Sequence, residues 1–172
     1  MREILSSIER TYRNYKTLGE GAIQQLREDE LSRPGQGESN SVAVNVWHIS
    51  GNLKSRFTDF LTSDGEKPWR RRDEEFLQRS VTSAELNRKW EEGWAVLFNT
   101  LASLTDEDLI QTVTIRGQKS SVHETLFRLM THTSYHVGQV VYLAKAIRGS
   151  EWKCLSIPLG KSEEYNSGVR AR

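Results

Sequence analysis

Four long segments of this chain carry apolar residues at three- and four-residue spacing, a period that belongs to helices packing on helices. From about Arg2 to Leu26 the stripe is Ile4, Leu5, Ile8, Tyr12, Tyr15, Leu18, Ala22, Ile23 and Leu26, with Gly19 and Gly21 as weak points. Pro34, Gly35 and Gly37 in SRPGQGESNS then break the pattern. A second helix is expected from about Ser41 to Leu61, with Val42, Val46, Ile49, Leu53, Phe57 and Phe60 on one face. The charged stretch SDGEKPWRRRDEEFLQRSV has no clear period and contains Pro68. It reads as a long connection with a turn of helix at most, and loops of that length in compact domains are often functional. Thr82 with Glu85 three residues on is a capping box, so a third helix starts there, burying Leu86, Trp90, Gly93, Trp94, Leu97, Phe98 and Leu101. QTVTIRGQKS alternates polar and β-branched residues around Gly117, the pattern of a small hairpin. Ser121 and Glu124 form a second capping box, opening a fourth helix that ends near Arg148 and Gly149. The tail from about residue 150 reads as irregular, with disorder in its last residues. The expectation is one all-α domain over residues 1–172: a four-helix bundle with a small hairpin before the last helix. The long second connection can cross the bundle, so helix order stays open.

Composition removes several function classes. Lys and Arg number 24 against 23 Asp and Glu, a net charge of +1, without the dense basic footprint of nucleic-acid binding. The single cysteine, Cys154, excludes an internal disulfide framework and a cysteine zinc finger, and it fits a reducing compartment. No run approaches the roughly 18 apolar residues of a membrane span, and the start MREILSSIER is too polar for a signal peptide. The expectation is a cytoplasmic protein with neither nucleic acid nor membrane as partner.

The four histidines then carry the argument. His132 and His136 are four residues apart on the fourth helix, so they stack one turn apart on one face. At about 100° per residue, Leu129, Val140, Leu143 and Ile147 fall beside them, so the pair points inward. Two buried imidazoles must have their nitrogens satisfied. Either backbone, Ser and Tyr partners do this, or a divalent metal bound by both rings does. His48 lies off the apolar face of the second helix, on a stripe with Val44, Asn45, Asn52, Ser55 and Asp59. That stripe either faces solvent or lines a polar cavity opposite the pair; its Asn, Ser and His content, poor in Lys and Glu, favours the cavity. His123 sits in the first turn of the fourth helix and reads as a cap-region residue.

NVWHISGNL in the second helix and THTSYHVGQVVYLAK in the fourth, with its H-x-x-x-H-x-G-Q, resemble the DinB/YfiT-like superfamily of four-helix-bundle proteins. GNLKSRFTDFLTSDGEKPWRRRDEEF and LSIPLGKSEEYN resemble one of its bacterial subfamilies. The resemblance covers nearly the whole chain. It implies that His48, His132 and His136 bind one divalent ion (nickel, zinc or iron), often in a homodimer. Members include transferases and isomerases that use low-molecular-weight thiols, and others classed as hydrolases.

Three neutral imidazoles leave coordination positions open, the pattern of a catalytic site, and would acidify a bound water or thiol. Two functions follow: a metal-dependent hydrolase or thiol transferase acting on a small molecule such as a thiol conjugate, or a non-catalytic metal-binding, stress-related or dimerising protein. Asn52 and Gln139, each one turn from a histidine, are candidates to orient ligands or bound water, with ordinary boundary polar residues as the alternative. Arg56, Arg70, Arg71 and Arg72 are candidates for an anion-binding wall, although alternating RRRDEE charge also suits a solvated, salt-bridged surface. Trp47, Trp90 and Trp94 read as core aromatics, and Cys154 has no partner for catalysis.

Overall fold

The apolar stripes condense into helices whose starts are fixed by side-chain caps. A computed structural model describes residues 2–37 and 39–170 of the 172, and the chain is mostly helical. The elements are α1 (Glu3–Ile23), the single turn α2 (Glu28–Leu31), α3 (Val42–Phe57), α4 (Ser83–Ser103), β1 (Thr112–Ile115), β2 (Gln118–Ser121), α5 (Val122–Arg148) and α6 (Ser162–Arg170). Ser41 caps α3 by accepting the Val44 N–H at 3.2 Å. At α4, Thr82 accepts from the Glu85 N–H while the Glu85 carboxylate accepts from the Thr82 N–H. Ser121 and Glu124 exchange the same two bonds at α5. Each box satisfies backbone N–H groups that the first helical turn otherwise leaves open, and both boxes stand where their sequence signature puts them.

α3 packs against α4 and α5, and α1 packs against α5 and α4. The shared interior holds Leu5, Tyr12, Phe57, Trp90, Trp94 and Leu126. Trp90 and Trp94 are buried as expected, whereas Trp47 is half-buried beneath the Arg79 guanidinium, 4.7 Å from its ring centroid.

Two boundaries differ from the spacing. α3 stops at Phe57, because Thr58 is extended and Asp59 takes a positive φ of 48°. Phe60 is still buried, reaching the core from a turn, and so continues the stripe without continuing the helix. Ser162–Arg170 is helical where the tail reads as irregular. Acidic Glu163 and Glu164 in its first turn favour a helix start, and Lys161 pairs with Glu164 at 2.8 Å. Its residues through Gly168 are exposed, so there was no apolar stripe to find. The expected disorder of the last residues concerns Ala171 and Arg172, which lie outside the described residues.

The hairpin turns at Arg116 and Gly117, both with positive φ, and pairs Thr112 with Ser121 through Ile115 with Gln118. Asp64 accepts the Arg116 and Gly117 N–H groups at 2.8 Å each, and the Gly65 N–H donates to the Thr114 carbonyl at 2.7 Å. These bonds lash the hairpin to the α3–α4 connection. Among the described residues no helix is long and apolar enough to cross a membrane.

α3 and α4 approach closely at Gly93, where a Cβ would lie 2.6 Å from the Ser50 Cα. Replacing Gly within a helix gains up to about 1 kcal/mol in propensity, but overpacking against backbone costs about 1–3 kcal/mol. Gly93→Val, a β-branched replacement, is expected to lose about 2 kcal/mol in urea unfolding; unchanged stability would contradict this packing.

Candidate metal centre

α5 carries His132 and His136 on its inward face, and α3 brings His48 to meet them. The ring centroids lie 5.2 Å (His48–His132), 4.5 Å (His48–His136) and 4.7 Å (His132–His136) apart. One nitrogen from each ring falls within 4.8 Å of the others, and this trio can hold a metal ion. His48 is 3% exposed, His136 is buried and His132 is half-buried. The stripe that spacing left between solvent and cavity is interior: Val44, Asn45, His48, Asn52 and Ser55 are all buried. Only Asp59, past the helix end, is exposed.

The donor set fits a divalent ion. His48 Nδ1 donates to Glu75 Oε2 at 2.9 Å. His136 Nδ1 donates to Gln139 Oε1 at 2.9 Å, with Asn45 Oδ1 at 3.4 Å. A neutral ring that donates through Nδ1 keeps its lone pair on Nε2, so both rings offer Nε2 to the centre. His48 Nε2 lies 3.3 Å from His132 Nε2. A tetrahedral ion with metal–nitrogen bonds of about 2.0–2.1 Å spaces its ligand nitrogens about 3.3–3.4 Å apart.

Glu75 comes from a 3-10 turn (Asp73–Phe76) inside the charged α3–α4 connection. Arg70 grips it with two parallel bonds, Nε to Oε1 and Nη2 to Oε2, both 2.8 Å. Phe76 lies against the His48 ring with centroids 4.6 Å apart. Gly51 leaves room for this carboxylate, since a Cβ there would lie 2.1 Å from Glu75 Oε1. The sequence reading missed Glu75 and Phe76 because RRRDEEF looks like a solvated charge run. The length of the connection was the one signal that it had work to do.

A cavity of about 440 Å³ opens beside the histidines. Asn52 and Gln139 line it, and Asn52 Oδ1 is buried without a hydrogen-bond partner. Of the four arginines expected as an anion wall, Arg56, Arg70 and Arg72 line the cavity. Arg71 points elsewhere, its side chain 78% exposed beside Glu74. Arg116 from the hairpin and Arg128 from α5 also line it; neither lies in a motif that spacing could single out. His123 is exposed, its Nδ1 donating to the Leu109 carbonyl at 3.1 Å, and stands apart from the trio. Cys154 is exposed on the tail and is not part of the cavity lining.

The model of a family described as "Protein of unknown function (DUF1572)" matches residues 1–161, which include every residue of this site. The chain belongs to that family. No curated protein and no solved structure matches it.

In this DUF1572 member the local fields keep the histidine pair neutral. Burial is the main cause lowering His132 to about 4, followed by the charges of His136, His48, Arg70 and Arg56. Burial and His48 likewise lower His136 to about 4, against an opposing bond to Gln139. Burial raises the Glu75 carboxyl, but the bonds from Arg70 and His48 outweigh it and hold the group below its ordinary value. Glu75 is therefore an anion beside His48, as in the carboxylate–histidine pairs that orient metal ligands.

Two predictions follow from this geometry. Unfolded histidines titrate near 6.5, at about the ordinary value, so as pH falls the unfolded chain takes up protons before the folded one does. Metal-free protein should keep the full benefit of neutral burial above about pH 6.5 and lose it progressively down to about pH 4. The thermal midpoint should fall across that window, and less so in the His132→Gln/His136→Gln double variant; parallel profiles would contradict the assignment. Glu75→Gln keeps the shape but removes the charge, and should weaken divalent-metal affinity by about 10–100-fold in competition with a chelating dye. Unaltered affinity would show that Glu75 does not support the site.

Proposed function

We propose that this chain is a metal-dependent enzyme on a DinB/YfiT-like four-helix bundle. His48, His132 and His136 are the protein ligands of one divalent ion (nickel, zinc or iron), and the adjoining cavity receives a small-molecule substrate. The observation that carries this reading is the convergence of three buried or half-buried imidazoles whose nitrogens lie within 4.8 Å of one another. A divalent ion there supplies Lewis-acid chemistry, lowering the pKa of a water or thiol that shares it.

The chain's own groups do the positioning. Glu75 holds the His48 Nδ1 proton and so aims Nε2 at the centre, and Gln139 with Asn45 does the same for His136. Phe76 closes one side of the His48 ring and excludes water there. Asn52 lines the cavity, and its buried Oδ1 is an acceptor with no partner among the described residues. No Asp or Glu lines the cavity among the described residues, so the protein contributes no free carboxylate base to it. A hydrolase or a low-molecular-weight-thiol transferase at this site would therefore rely on the ion to activate its nucleophile. A closed, purely structural ion would not need a cavity of about 440 Å³ at its side.

Protein purified without chelator or affinity nickel should carry about one divalent ion per chain by elemental analysis. Metal-free protein that takes up no ion on titration would sink the proposal. With a catalytic ion, replacing each of the three histidines by Ala should remove turnover of an ester and thiol-conjugate panel with modest loss of thermal stability. A large loss of stability from every variant points instead to a structural ion.

A further inference from the structure

The cavity is walled by five arginines, Arg56, Arg70, Arg72, Arg116 and Arg128, and by no carboxylate among the described residues. Three acidic groups near the wall offset part of this charge, and two of them are shared. Glu66 bridges Arg56 and Arg116 at 3.1 and 2.6 Å. Glu75 serves both Arg70 and His48. Arg72 lies near Asp73 at 3.5 Å, while Arg128 has no ion pair among the described residues. Arg128 stands one turn before His132 on α5, so it projects over the same end of the cavity as the histidines.

Arg70 is the decisive residue. Its side chain is 2% exposed, and the two-point grip on Glu75 fixes the plane of the guanidinium. Its remaining nitrogen, Nη1, is buried and has no hydrogen-bond partner among the described residues. Buried donors are nearly always satisfied, so this orphan, on a residue that lines both the histidine cavity and a neighbouring pocket beside Trp47 and Glu74, marks an unused donor for an acceptor. Arg56 is held as firmly, donating to the Gly65 carbonyl, to Ser55 Oγ at 3.4 Å and to Glu66. These cations are preorganised and incompletely neutralised, and the three histidines beside them add no negative charge.

We propose that the substrate is a small molecule bearing an oxyanion, a carboxylate or a phosphate, which docks on Arg70 and Arg128 with its reacting end toward the histidines. Arg56, Arg72 and Arg116 complete the positive wall. The volume of about 440 Å³ suits a metabolite-sized ligand and is too small for a folded partner. This inference rests on the reading of the cavity as the substrate site.

The test is calorimetric titration with succinate and with inorganic phosphate, on protein stripped over a chelating resin and on protein reloaded with metal. Saturable one-to-one binding of either probe by the stripped protein is expected, and the stronger probe identifies the oxyanion. Arg128→Gln, which disturbs no internal ion pair, and Arg70→Gln should each weaken it by on the order of tenfold or more. Arg71→Gln, outside the cavity, should not. No binding in either form, or equal weakening by Arg71→Gln and Arg128→Gln, overturns the inference. Binding that needs the metal and ignores both cavity variants also overturns it, while leaving the metal-centre reading intact. Arginine-dependent binding in a protein that takes up no metal supports the oxyanion site and overturns the metal-centre reading alone.

Discussion

The structure turns on three imidazole rings that face one another inside a helical core. Burial and the neighbouring rings hold His132 and His136 below the ordinary histidine value, since each charge there would be desolvated and repelled. Neutral rings are not comfortable there either, because lone pairs that converge on a common point need a cation or donated protons between them. The surroundings favour the cation. Nδ1 of His48 and of His136 is committed to an oxygen acceptor, which turns Nε2 of each toward the others.

That convergence depends on helix phase. Shifting α5 by one residue would rotate His132 and His136 by about 100° and move them off the interior. The Ser121–Glu124 box sets where α5 begins, and Gly149 closes it with a positive φ. α3 is placed equally closely, by the Ser41 cap and by the contact between Gly93 and Ser50. The α3–α4 connection then fills the remaining side. It inserts Glu75 and Arg70 against His48 through the space left by Gly51, and Asp64 ties it to the hairpin that presents Arg116. A charged loop thus completes a site begun by two apolar helices.

Much of this was legible in the sequence because it is local. Apolar spacing found the four long helices, capping boxes found the starts of α4 and α5, and Gly117 found the hairpin. The separation of His132 from His136 showed their shared inward face. What spacing could not show is tertiary. Glu75 looks like any residue of RRRDEEF until the loop folds back on His48. Arg116 and Arg128 enter the cavity only through the docking of the hairpin and the phase of α5. Arg71, between two cavity-lining neighbours, faces solvent, and a loop has no period from which to predict it. α6 was missed for the opposite reason: a helix that buries nothing leaves no apolar pattern.

The central claim is that His48, His132 and His136 ligate one divalent ion. X-ray absorption at the metal edge, on protein purified without chelator or affinity nickel, tests it most directly. The account predicts a first shell with three imidazole nitrogens, reduced by one in each single His→Ala variant that retains metal. A shell of oxygens alone, or one unchanged by the three substitutions, would contradict it.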